Sequence, residues 1–328
     1  MSIKRWLFIP CILIVLGLLQ WGCNALLLNG PISEGPYYYQ VLVLAGINII
    51  LAVSLNLTNG VAGQFSIGHA GFFAIGAYVA ACISVYGGNE FHTLTHFLPG
   101  DAQDASLLIL AVFIGALAAA LAGLLVGIPS LRLRGDYLAI VTLGFGEIIR
   151  VLILNVDAVG GARGFIGIPK LSNFFWVFGG VTLTVLTIRN LVRSGYGRAL
   201  LSIREDEIAA QAMGIPVTRY KVMAFVISAA LAGMAGGLFG HFTMYLHPNS
   251  FTFVKSFEII IMIALGGLGS LPGAILGAIL ITVLPELFRE FSEYRMVIYS
   301  LALILIMIFR PQGLFGRGNL LGRKHGNN

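Results

Sequence analysis

The chain has 328 residues, 58% of them hydrophobic and 10% charged, with a formal net charge of +6 and a mean hydropathy of +0.91. Soluble chains average roughly 25% charged residues, so this one has too little charge to keep the surface of a soluble domain wet. An ordinary cytosolic enzyme, a disordered chain and a secreted module are thereby excluded. The surplus of 20 Lys and Arg over 14 Asp and Glu fits basic residues collected in cytoplasmic loops. Nucleic-acid binding does not fit, because no basic run is interleaved with aromatics.

Apolar runs bounded by Gly, Pro or charge lie at Trp6–Leu28, Tyr38–Thr58, Gln64–Val85, Leu107–Gly127 and Tyr137–Leu154. Further runs follow at Phe174–Leu191, Val222–Leu246, Phe257–Gly269, Gly273–Phe288 and Met296–Phe309. At about 20 residues per span, they predict an all-α polytopic membrane protein of about ten transmembrane helices, with Phe257–Gly269 short enough to be a half-helix. Lys4 and Arg5 precede the first run, but it outlasts a signal-peptide core and lacks a small-residue cleavage site, so it is expected to stay as a span. Cys11, Cys23 and Cys82 all lie in apolar runs with no CxxC spacing and read as small core residues. Forty-two glycines, near twice the usual share of roughly 7%, suit helices packed backbone to backbone in lipid.

Charge sets the expected direction. With both termini cytoplasmic, Met1–Arg5, Pro129–Asp136, Arg189–Lys221 and the tail from Arg310 hold fourteen of the 20 basic residues, as the positive-inside rule asks. The Gly87–Ser106 loop carries Glu90, Asp101 and Asp104 without Lys or Arg and reads as external. The chain is thus expected to be a single transmembrane domain, 1–328, with a cytoplasmic loop at 189–221 and a cytoplasmic tail at 311–328.

The loop 189–221 holds six basic and three acidic residues. Ser202 with Glu205 three residues on reads as a capping box, and Glu205, Asp206 and Glu207 place negative charge in the first turn, where it suits the helix dipole. Gly214 and Pro216 stop the helix. The result is a rod of about 11 residues, roughly 16 Å long, too short to span. Its expected apolar stripe is Ile208, Ala209, Ala212 and Met213, with Glu207, Ala210, Gln211 and Gly214 opposite. Interfacial helices favour basic polar faces and large anchors. An acidic, Ala-rich rod instead suits the groove of a protein partner.

Polar residues inside spans are costly and point to function. The densest set is Ser54, Asn56, Thr58, Gln64, Ser66 and His69. It is interrupted by Gly60 and Gly63, a spacing that suggests an inner-facing turn or a broken helix whose free N–H groups could meet a carboxylate. Gly266 and Gly269 echo that spacing before a second apolar helix. Asn56, Gln64, Ser66, His69 and Glu258 are the candidate path residues. Glu147 and Arg150 are spaced to neutralise each other, as are Lys255 and Glu258. Glu286, beside Pro285, reads as an interfacial residue, and His241 and His247 read as surface residues at the outer end of a span. No G-x-x-x-x-G-K-[ST] sequence is present, so ATP is not expected to bind this chain through a P-loop.

Glu207-Ile-Ala-Ala-Gln-Ala-Met-Gly214 on a cytoplasmic loop resembles the EAA coupling loop of ABC-importer permeases, although Ile208 separates Glu207 from the Ala pair. With the stretches Ser54–Tyr78, Leu131–Ile140 and Gly160–Pro169, the chain resembles the LivM-type permeases of branched-chain amino acid importers from about residue 40 to 313. That resemblance implies an inner-membrane permease that translocates Leu, Ile or Val by alternating access. It also implies a periplasmic substrate-binding protein, a LivH-like second permease and two LivG/LivF-like ATPases that bind the ATP, leaving this chain non-catalytic and without a cofactor or metal. The coupling element then comprises Arg198, Glu205, Asp206, Glu207, Ala209, Ala210 and Gly214. The alternatives are a permease for urea or short amides, and an ion-coupled transporter using Glu147 or Glu258.

Overall fold

The computed structural model describes residues 15–28, 35–95, 99–130 and 136–287, with isolated positions from 300 to 313. The run Met296–Phe309, isolated positions apart, and the start of Trp6–Leu28 lie outside the described residues. In chain order the helices are α1 (15–28), α2 (Gly35–Leu55), α3 (His69–Tyr86), α4 (Gly88–Leu94), α5 (Gly100–Ser130) and α6 (Asp136–Leu154). They continue with α7 (Phe174–Arg193), α8 (Gly195–Glu205), α9 (Glu207–Ala212), α10 (Val217–Thr243), α11 (Phe253–Gly266) and α12 (Leu271–Leu287). Among the described residues six helices, α2, α3, α5, α6, α7 and α10, are long and apolar enough to cross a membrane. The chain is an all-helical polytopic membrane protein.

Two layers are distinguished by burial. The most apolar stretch of α2 is 83% buried and those of α3 and α10 are 67% buried, against 17% for α6 and α7. The inner three are uniformly apolar, as helices surrounded by protein must be, whereas the outer ones leave large apolar side chains such as Phe113, Leu125, Ile148 and Leu152 exposed. Lipid, not water, suits such a surface.

Glycine sets how closely the inner helices approach. A Cβ at Gly76 of α3 would lie 2.1 Å from the Gly233 carbonyl oxygen of α10, and one at Gly236 would lie 2.1 Å from that of Phe73. Gly115 brings α5 onto the same seam, where its Cβ would meet the Gly76 carbonyl oxygen at 2.7 Å. The α11–α12 hairpin closes likewise, through Gly266, Gly273 and Gly277. Apolar helices gain nothing by leaving lipid for one another, so close backbone contact supplies the attraction.

Several boundaries differ from the sequence reading, each for a local reason. α5 starts at Gly100 and spans about 46 Å at 1.5 Å per residue, so the external loop is largely helical, with α4 inside it. The third span begins at His69 and not at Gln64, because Gly63 (φ +66°) turns the chain and residues 62–68 are not helical. α11, with 14 residues, is the short helix expected at Phe257–Gly269. His241, expected at the surface, is fully buried. Its ring sits 2.6 Å from the Ser84 hydroxyl and 2.7 Å from the Gly237 carbonyl, two partners that make burial tolerable. His247 caps the turn at Pro248, accepting from the Asn249 N–H.

At the end of the bundle opposite the loop 189–221, Phe165 pairs with Leu246 through two backbone hydrogen bonds of 2.7 and 3.0 Å. Gly160, Gly161, Gly164 and Gly167 all adopt positive φ around it, which lets the Gly160–Pro169 stretch fold Phe165 into the core, 5% exposed.

A Gly236→Ala substitution is expected to force α3 and α10 apart and destabilise the chain by about 1–3 kcal/mol. Gly179→Ala, whose Cβ would meet nothing within 4 Å, should leave thermal unfolding in detergent unchanged.

Candidate functional site

The loop after α7 folds into two helices, not one. Ser194 starts α8 and its hydroxyl oxygen accepts from the Gly197 N–H. α8 then runs through Ser202 to Glu205, burying Leu200 completely and Ile203 to 3% exposure. Ser202, expected as a cap, lies inside α8 and donates to the Ala199 carbonyl at 2.8 Å. Asp206 is the cap. Its backbone is extended, and its carboxylate accepts from the N–H groups of Ile208 and Ala209 at 2.9 and 3.0 Å. Burial of Leu200 and Ile203 requires the helix before Ser202, so the competing Ser202 box loses and the break falls at Asp206.

α9 (Glu207–Ala212) ends in a left-handed Gly214 (φ +81°), with Gly214 N–H donating to the Gln211 carbonyl and Ile215 N–H to that of Ala210. Both bonds satisfy carbonyls that a helix end leaves open. Ala210, expected on the polar side, faces inward against Ile203 and Val217. The stripe Ile208, Ala209, Ala212 and Met213 faces outward: Ile208 is 71% and Met213 83% exposed, and Ala209 and Ala212 are exposed too. Glu207 is tied back to α10 by Lys221 at 2.8 Å, and Arg198 reaches the Arg193 carbonyl. Tyr196 stacks on Tyr220 and donates to its carbonyl at 2.6 Å. Burial and the neighbouring Tyr220 push its phenol up to about 12.

The second region is the break between α2 and α3. α2 continues as a wide turn, Asn56–Val61, before the chain reverses at Gly63. Asn56, Gln64, Ser66 and His69 all lie on this break or at its edge and are all buried. Asn56 holds the break to the α11–α12 turn, accepting from Gly269 N–H at 2.8 Å and donating to the Ser270 carbonyl at 3.2 Å. Asn59 and Ser66 exchange a pair of 3.2 Å bonds through the Ser66 backbone. His69 Nε2 lies 2.8 Å from the Ser54 hydroxyl oxygen, which is also 2.9 Å from the Leu51 carbonyl. Gln64 differs from these. It is 3% exposed, and neither its side-chain oxygen nor its nitrogen has a partner among the described residues; the same holds for the Thr58 hydroxyl.

Free N–H groups were expected at the start of α3. That of Ala70 donates to Ser256 of α11, and that of Gly71 to the Gly68 carbonyl. Ile67 N–H is held by Thr142 of α6 at 3.0 Å. Glu258 lies apart from the break, on α11, paired with Lys255 at 3.0 Å, while Lys255 also reaches Asn48. Glu147 and Arg150 pair at 2.7 Å on α6, and the other Glu147 oxygen accepts from Phe253 N–H at the start of α11. Glu286 accepts from the Tyr37 hydroxyl. No group of three or more His, Cys, Asp or Glu that could hold a metal occurs among the described residues.

Sequence reasoning missed Arg204. Its Nη1 donates to the Gly60 carbonyl at 2.8 Å and its Nη2 pairs with Glu205 at 2.7 Å, so α8 touches the break directly. The signal was present in the two glycine pairs, since Gly60 packs so closely on Gly269 that a Cβ would lie 2.3 Å from its nitrogen.

Residues 37–309 match the family model described as the permease component of branched-chain amino acid transport systems. The chain is 38% identical to the high-affinity branched-chain amino acid transport system permease protein LivM of Salmonella typhimurium, over 95% of this chain and 75% of the relative. It is 41% identical to that of Escherichia coli K12, over 84% and 69%. The LivH permease of Salmonella typhimurium is 26% identical, over 87% of this chain and 98% of the relative. No solved structure matches significantly.

Asp206→Ala removes both cap bonds of α9 and is expected to destabilise that helix by about 1 kcal/mol. Faster amide exchange confined to Ile208 and Ala209, with α8 unchanged, is the expected readout; unchanged exchange would contradict the assigned cap.

Proposed function

The chain belongs to the permease family of branched-chain amino acid transport systems, and from that premise we propose how its parts share the work of import. It is a permease subunit of an ABC importer for branched-chain amino acids. As a LivM-type subunit it sits in the inner membrane as a single domain of about ten spans with both termini cytoplasmic. It pairs with a LivH-like permease and receives substrate from a periplasmic binding protein. Two LivG/LivF-like ATPases bind and hydrolyse ATP, and this chain itself does no hydrolytic chemistry.

α9 is the element that seats in an ATPase. Its ends are fixed by Asp206 and Gly214, its inner side is anchored by Ala210 and Lys221, and it turns Ile208 and Met213 outward. Large apolar side chains presented by a short, rigid rod suit a protein groove. Arg198, Glu205 and Glu207 supply charge around that seat, and Ala209, small and exposed, permits close approach.

The break forms part of the substrate path. Non-helical backbone at membrane depth is tolerated only where protein covers it or water reaches it. Residues 62–68 lie beside α6 and α11, with Phe65 47% exposed, and the pairs Glu147–Arg150 and Lys255–Glu258 are on those same two helices. Ionised side chains are costly against lipid. This face therefore lines the path and faces the second permease.

One observation carries the reading: the buried, unpartnered amide of Gln64. A buried group left unbonded costs about 1–3 kcal/mol, a cost a transporter can retain where a passing amino acid supplies the missing partners. Asn56, Ser66 and His69 hold the shape of that site, and Glu258 lies farther along the path.

In vesicles, leucine uptake is expected only with the partner permease, the ATPases and ATP. Uptake by this chain alone under a proton or sodium gradient would favour the ion-coupled alternative, and preference for urea or amides would change the cargo. Gln64→Leu is expected to raise thermal stability, by removing the unbonded amide, while cutting leucine uptake at least tenfold, about 1.4 kcal/mol. Unchanged uptake would remove Gln64 from the path.

A further inference from the structure

We propose that Arg204 is the positioning residue through which movement of the docking helix reaches both broken helices of the bundle. The inference rests on the importer reading above and adds to it the physical link between its two ends. Arg204 stands on the last turn of α8, three residues before α9 begins, and its side-chain exposure is only 24%. Its Nη1 donates to the Gly60 carbonyl at 2.8 Å. Its aliphatic stem lies over Gly63, where a Cβ would come within 2.5 Å of the Arg204 Cγ. The same Nη1 lies 3.1 Å from the Cβ position of Gly269. One guanidinium thus bears on the turn after α2 and on the turn between α11 and α12.

Those two turns are already joined to each other. Asn56 bonds to Gly269 and Ser270, and Gly60 and Gly269 are in backbone contact. On the other side, α8 cannot flex independently of the bundle: Leu200 and Ile203 are buried, and Tyr196 is stacked on Tyr220 of α10. A planar guanidinium with several donors holds a fixed direction between such surfaces, which a flexible ammonium does not. The chain of contacts runs from α9 through the Asp206 cap to Arg204, then to Gly60, Asn56 and Gly269. The unpartnered Gln64 lies one residue beyond Gly63 on the same turn. A displacement of α9 is thereby delivered to the segment that carries the substrate.

The test uses the complete transporter in vesicles, with leucine uptake and ATP hydrolysis measured on the same sample. Arg204→Ala is expected to retain bound ATPases and hydrolysis, while leucine carried per ATP falls about tenfold, an ordinary magnitude for coupling between sites. Arg204→Lys, which keeps the charge and one donor to Gly60, is expected to recover part of that ratio. An unchanged ratio in Arg204→Ala overturns the proposal. Absence of ATP-driven uptake by the unsubstituted complex would instead contradict the importer reading itself. If Arg204→Ala does not assemble, spin labels at Ser202→Cys and Leu268→Cys, with the native cysteines replaced by serine, decide the matter. Their separation is expected to stay fixed between nucleotide-free and vanadate-trapped states. A change as large as that between Ser202 and Tyr137 would overturn the link.

Discussion

Every peptide group withdrawn from water must find a hydrogen-bond partner in the protein, and the turn between α2 and α3 is built around meeting that demand. Residues 62–68 are not helical; Ala62 and Gln64 donate back to the Leu57 and Thr58 carbonyls, and the neighbouring groups find partners elsewhere. Thr142 of α6 takes the Ile67 N–H, Asn59 serves both sides of Ser66, and Ser256 of α11 takes the Ala70 N–H. Three separate parts of the sequence, the α2–α3 turn, α6 and α11, are thus drawn to one point. The arrangement explains why small polar residues recur in otherwise apolar helices: each closes one backbone vacancy that a wholly apolar sequence would leave open.

Glycine serves the same end by a different route. Between α3, α5 and α10 it permits close packing of straight helices, and between Gly60 and Gly269 it permits two irregular turns to touch. The first kind of contact packs the inner helices, the second joins the α2–α3 turn to the α11–α12 turn. Because both depend on the absence of a side chain, a single added methyl group at either place has consequences far from where it is made. The short helix α9 shows the opposite strategy. Its six residues are too few to persist as an isolated helix, so both ends are capped and Lys221 ties its first residue to α10. Both caps and that ion pair hold so short a helix in one place on the bundle.

Much of this was legible in the residues. Charge and apolar run lengths defined an all-helical membrane protein, and the paired glycines at 60/63 and 266/269 marked where helices stop. The ion pairs Glu147–Arg150 and Lys255–Glu258 followed from spacing alone. Other features depended on tertiary contacts that no local pattern carries. Ser202 and Asp206 are both competent caps, and only the burial of Leu200 and Ile203 decides between them. Ala210 faces inward because Ile203 and Val217 stand beside it, a neighbourhood invisible on a helical wheel. His241 is buried because Ser84, 157 residues away, offers a partner. Arg204 read as one loop charge among several until its reach to Gly60 was seen.

The account depends on the unwound stretch 62–68 facing a water-filled path rather than lipid, and Phe65, half exposed on that stretch, reports on it directly. In the assembled transporter with its native cysteines replaced by serine, Phe65→Cys should react with a membrane-impermeant thiol reagent, and leucine should slow the reaction. Reaction only with a lipid-soluble maleimide, at a rate indifferent to leucine, would contradict a path at this position.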